Sequence, residues 1–156
     1  MATRPYDDMT RTVRETVTPE CDLQARMQCV VDTLWAGMAE RGVSWVGFYL
    51  KDNDQMILGP RRDKPACSPI GLHGACGQCF VNDAPLVVRD VAELGEGYIA
   101  CDPRDLSEVV LPFYDGAGTP IGVLDLDSCD RASFDEADVT GLTAVLDAAR
   151  LGRATA

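Results

Sequence analysis

Three kinds of residue in this chain suggest a shared chemistry: cysteines beside turns, carboxylates inside apolar strands and a pair of spaced aromatics. Cys101 precedes Asp102 in the stretch Gly97-Tyr-Ile-Ala-Cys-Asp-Pro-Arg-Asp-Leu-Ser-Glu108, just ahead of the apolar run Val109-Val-Leu-Pro112. A cysteine at a loop-to-strand junction can present its sulfur to a pocket, whereas one within an apolar strand is a small hydrophobe. Cys101 is therefore the candidate nucleophile. Cys67 and Cys76 lie just ahead of or inside the turn Gly71-Leu-His-Gly-Ala-Cys-Gly77, where backbone movement is cheap. Glu108, Asp125 and Asp127 are acids embedded in apolar strands, where an unpaired charge is expensive. The plain role for such acids is a salt bridge or a cap.

A reactive thiol needs thiolate character and access, and a second thiol nearby can trap a sulfenic acid as a disulfide before it over-oxidises. Acids with raised pKa can protonate a departing oxygen. Together these suit reduction of an oxygen bound to sulfur. Trp45 and Tyr49, four residues apart, share one face of a strand with Gly47 between them. That face is either packed core or the apolar wall of a small pocket. Cys76-Gly-Gln-Cys79 also fits C-x-x-C, but the βαβ context of a thioredoxin-like pair is missing. A structural zinc site would need two further ligands at matching spacing. Cys67 and His73 are the candidates, and no metal is assigned.

The elements that must position these residues follow from local patterns. Residues 1–17 read as a short, weakly held helical extension, and residues 18–152 as one domain. Thr18-Pro19-Glu20 reads as a helix start, and Leu23, Met27, Val30, Val31, Leu34, Trp35 and Met38 form an apolar stripe that Gly42 ends. Val43–Lys51 and Met56–Leu58 form a hairpin across Asp52-Asn-Asp54. Ala66–Ile70 is expected to be a short strand, followed by a short helix through Cys79 and a strand at Leu86–Val88. A second hairpin joins Glu108–Tyr114 to Pro120–Asp127, with Asp125 and Asp127 on one face and Leu124 and Leu126 on the other. A last helix starts near Asp135. The expected class is α+β: a single domain with an antiparallel sheet of five to six strands flanked by helices.

At 156 residues and 46% hydrophobic content, one domain can bury a substantial core. A net charge of -11 argues against a nucleic-acid partner. No apolar run is long enough to cross a bilayer, and Asp7, Asp8 and Arg11 stand where a signal peptide needs apolar residues, so a cytoplasmic protein without a membrane partner is expected. Seven cysteines in a reducing compartment point to redox or metal chemistry rather than structural disulfides.

From about Cys21 to Ala149 the chain resembles the free methionine-(R)-sulfoxide reductases, enzymes built on a GAF domain. The resemblance rests on Trp45-Val-Gly-Phe-Tyr49, Leu58-Gly-Pro60, Lys64-Pro-Ala-Cys67, Ala75-Cys-Gly77, Ile99-Ala-Cys101-Asp102, Ser107-Glu-Val-Val-Leu-Pro112, Ile121-Gly-Val-Leu-Asp125-Leu-Asp127-Ser128 and Phe134-Asp-Glu136. It implies a GAF-like fold and reduction of free methionine sulfoxide without a cofactor. By that likeness Cys101 is the nucleophile, Cys67 the resolving thiol and Cys76 an auxiliary cysteine. Glu108, Asp125 and Asp127 hold the substrate and help protonate its oxygen, while Trp45, Tyr49, Ile99 and Ala100 surround it. Thioredoxin is the implied reductant. Tyr98 stands where the family commonly has histidine, Arg61 and Arg62 depart from its pattern, and Cys79 is an additional thiol that competes for the resolving role. The oligomeric state stays open, a homodimer included. The alternative reading is a non-catalytic GAF sensor module that binds a small ligand.

Overall fold

Strict alternation along three adjacent strands gives this protein one greasy sheet face and one chemically equipped face. In the computed structural model, which describes residues 4–95 and 102–153, the elements are α1 (Tyr6–Thr16), α2 (Leu23–Met38), β1 (Trp45–Asp52), β2 (Gln55–Arg62), α3 (Ala75–Asn82), β3 (Leu86–Val88), β4 (Ser107–Tyr114), β5 (Pro120–Ser128) and α4 (Glu136–Ala148). A single 3-10 turn covers Val91–Leu94. The sheet has five strands in the order β2-β1-β5-β4-β3, and every pairing is antiparallel. The fold is α+β.

Val46, Phe48, Val109, Leu111, Phe113, Leu124 and Leu126 point to one face and form the main core with α1, α2 and α4. Trp45, Tyr49, Val110 and Val123 point to the other, where they meet Ala75, Cys76 and Cys79 of α3. A period of two forces this division, because successive side chains of a strand leave opposite faces.

The amino-terminal helix is held more firmly than expected. Met9 and Val13 are buried in the main core, and Arg4 pairs with Asp138 of α4 at 2.9 Å. The Tyr6 hydroxyl donates to the same carboxylate at 2.6 Å, and the Tyr6 ring occupies the space left by Gly141. These anchors lie on a helix more than 130 positions away, beyond the reach of local pattern.

Two local expectations are corrected. The second helix starts at Leu23, capped by Asp22, whose side chain accepts from the Ala25 N–H at 2.8 Å. Thr18 instead closes a turn on Cys21, its carbonyl accepting from the Cys21 N–H at 3.1 Å. Ala66–Ile70 is not a strand, and only Ile70 pairs, in a bridge with Met56. Pro69 has no N–H to give a ladder, and the Leu58 N–H is taken by the Ser68 hydroxyl at 3.0 Å. The loop is thus tied to the sheet by a side chain, which leaves Cys67 outside regular structure.

Candidate active site

The equipped face encloses a cavity of about 360 Å³. Register builds its floor: Trp45 and Gly47 of β1 lie opposite Asp127 and Asp125 of β5, which lie opposite Glu108 and Val110 of β4. Neighbouring strands therefore bring three carboxylates side by side on one face. Trp45 and Tyr49 stand beside them, with ring centroids 6.2 Å apart. Cys67, Cys76, His73 and the glycines of the 71–77 turn form the opposite wall.

The aromatic pair also fixes the loop that carries Cys67. The Trp45 Nε1–H donates to the Lys64 carbonyl at 2.9 Å, and the Tyr49 hydroxyl donates to the Cys67 carbonyl at 2.8 Å. Both apolar-wall residues are only 3% exposed. Buried aromatics with satisfied polar tips are rigid placements, so this loop is held at two points against β1. Cys67 is disulfide-bonded, whereas Cys21, Cys29, Cys76, Cys79 and Cys129 are free thiols.

Tyr98, Ile99, Ala100 and Cys101, singled out from the sequence, lie outside the described residues. Every other candidate named for the site lines the cavity: Trp45, Tyr49, Cys67, Cys76, Glu108, Asp125 and Asp127. Cys79 does not; it is buried on the α3 side of the second core. Two lining acids carry roles the sequence reading did not give them. Asp102 is gripped by Arg104 through Nε at 3.0 Å and Nη2 at 2.8 Å, and it also pairs with Lys64. Asp105 is buried and accepts from the Ser44 hydroxyl at 2.7 Å. Nothing local marks Asp105 among 25 acids, since Ser44 is distant in the chain.

A family model for GAF domains matches residues 22–151. This chain belongs to the GAF domain family. It falls within the group that contains the free methionine-R-sulfoxide reductases. The enzyme of that name from Escherichia coli is 33% identical over 88% of this chain and 81% of its own length. The solved structure of fRMsr of Staphylococcus aureus in complex with substrate is 28% identical, with a TM-score of 0.86 over 96% of each chain. A putative GAF sensor protein from Burkholderia vietnamiensis is 34% identical, with a TM-score of 0.84 over 95% of this chain and 94% of that one.

The electrostatics of this GAF domain's cavity divide its groups into proton holders and a fixed anion. Burial raises the Asp125 and Asp127 carboxyls well above the usual range, and the neighbouring Glu108 raises both further. Both carboxyls therefore hold their protons to higher pH than an exposed acid would. Asp102 goes the other way: hydrogen bonds from Arg104 and then Lys64 hold it far below the usual carboxylate range. Burial pushes the Cys76 thiol well up, with Asp125 and Glu108 adding to the rise, and pushes Cys79 to about 12. Neither thiol is a ready nucleophile at neutral pH. The arrangement can deliver protons to a small polar group held against an indole and a phenol.

Proposed function

We propose that this protein reduces free L-methionine-(R)-sulfoxide to L-methionine. The observation that carries this reading is the pair of proton-holding carboxyls, Asp125 and Asp127, set beside Glu108 in a cavity that Cys67 also lines. The likeness to the Escherichia coli reductase supports it. In this reading the Cys101 thiolate attacks the sulfoxide sulfur, and the acid cluster gives a proton to the sulfoxide oxygen. The hydroxyl then passes from that sulfur to the Cys101 sulfur as the new sulfur–sulfur bond breaks, so methionine leaves as the thioether and Cys101 keeps the oxygen as a sulfenic acid. Cys67 then attacks that sulfur, forms a disulfide and releases the oxygen as water. A dithiol such as thioredoxin supplies the two electrons that reopen it. The disulfide state of Cys67 supports its part as a thiol that closes a bridge.

Trp45 and Tyr49 are the wall for the methyl sulfoxide end, and the cavity volume suits a free amino acid rather than a folded protein surface. The test is NADPH consumption with thioredoxin, thioredoxin reductase and free methionine-(R)-sulfoxide. Turnover of that epimer alone is expected. Equal turnover of the S epimer or of a peptide-bound sulfoxide would overturn the substrate. No turnover together with tight binding of another small molecule would favour a sensor module, the reading that the likeness to the Burkholderia protein supports.

A further inference from the structure

The sequence offered a zinc set drawn from Cys67, His73, Cys76 and Cys79, but the fold assembles a different group. The Cys76 sulfur and carboxylate oxygens of Glu108 and Asp125 all lie within 4.8 Å of one another, and all three residues are buried. Asp125 is 6% exposed, lines the cavity, and has an Oδ1 without a hydrogen-bond partner among the described residues. A buried oxygen in that state is costly unless something fills its place. From this geometry we propose that Cys76, Glu108 and Asp125 form a binding site for a thiophilic divalent cation of the zinc, cobalt or cadmium class.

One sulfur and two carboxylates match the tastes of such ions, whereas magnesium and calcium take oxygen alone. Zinc bonds of about 2.3 Å to sulfur and about 2.0–2.2 Å to oxygen put tetrahedral ligand atoms roughly 3.5 Å apart. The three side chains then close in by about 1 Å. Three ligands converging from the sheet and from α3 at the edge of the cavity leave the remaining position for a water or a small ligand. The ion displaces the Cys76 thiol proton and any proton held by the two acids, which pass to solvent, and forms bonds to one thiolate and two carboxylates. Its occupation ties up two acids assigned above to proton delivery, so the site is an inhibitory one. The cation site goes beyond the reductase reading and does not depend on it, because binding can be measured without turnover; only its inhibitory consequence rests on that reading.

Cobalt(II) is the probe. The protein is used in the form with Cys67 disulfide-bonded, so that Cys67 cannot ligate. One cobalt per chain is expected, with a thiolate-to-cobalt charge-transfer band in the near ultraviolet and intense visible bands of tetrahedral type. The charge-transfer band should vanish in Cys76→Ser. Affinity should fall at least tenfold in Asp125→Asn, with folding of both variants checked by circular dichroism. Zinc should displace the cobalt, and magnesium should not. Retention of the band in Cys76→Ser, unchanged affinity in Asp125→Asn, or absence of stoichiometric binding would each overturn the site. An adventitious ion only, on the exposed Cys129, is read as binding that survives both variants.

Discussion

The indole of Trp45 occupies the space that a side chain at Gly47 would need: a Cβ built there would lie 2.3 Å from Cη2 of the ring. The missing side chain is what lets Trp45 lie along β1 and reach the Lys64 carbonyl. Gly47→Ala should therefore displace the ring, at a cost of about 1–3 kcal/mol from overpacking. Thermal unfolding and tryptophan fluorescence check this. A higher KM for methionine sulfoxide is expected beside it, and an unchanged Tm with an unchanged emission spectrum would show that the ring has another place to go.

Tyr49 ties the wall of the cavity to the loop that bears Cys67. Tyr49→Phe keeps the ring but leaves the Cys67 carbonyl without the phenol's hydrogen bond at 2.8 Å. Loss of about 1–2 kcal/mol is expected. The looser loop should also slow disulfide closure, so that a sulfenic acid becomes trappable by dimedone during turnover. Wild-type levels of trapping would show that the hydrogen bond does not hold Cys67 in place.

The acid cluster sets a pH dependence whose sign follows from the shifts. Asp125 and Asp127 hold protons more tightly folded than unfolded. Between an unfolded carboxylate pKa of about 3.9 and the raised folded values, the native state binds more protons than the unfolded chain. Stability therefore falls as pH rises through that window. Asp125→Asn removes one ionisation and should raise stability at pH 8 by about 1–2 kcal/mol, roughly 2–8 °C in Tm, and flatten the decline. The same variant should lose most turnover. A lower Tm at pH 8 than the wild-type protein would contradict the burial-driven shift.

Thiol reactivity separates the cysteines in a way that their spacing does not. The Thr18 N–H donates to the Cys21 sulfur at 3.4 Å and lowers its pKa, while burial raises Cys76 and Cys79. Brief alkylation of the native protein at pH 7.5, read by peptide mass spectrometry, should label Cys21 at least ten times faster than Cys76 or Cys79. Comparable rates would mean that α3 opens readily.

Cys67→Ser tests the proposed division of labour. It should allow one equivalent of methionine to form and then stall, with a lasting sulfenic acid. Continued cycling would move the resolving role to Cys76 or Cys79, against their raised pKa values.

Much of this fold was legible locally. Alternation alone put Asp125 and Asp127 on the face opposite Leu124 and Leu126, and helical spacing marked the buried stripe of Met27, Val30, Val31 and Leu34 on α2. Those patterns are short-range consequences of backbone geometry, so they can be read residue by residue. What no local pattern contains is register: that Glu108 faces Asp127, and that Gly47 faces Asp125, is settled by pairing between strands far apart in sequence. The same holds for the docking of α1, which depends on Arg4 and Tyr6 finding Asp138, and for the meeting of Cys76 with Glu108 and Asp125. The residue types and the faces they occupy were written in the chain. Which of them touch, and how far burial moves their protons, arose only when the sheet closed over α3, because desolvation and charge coupling are properties of the enclosed space.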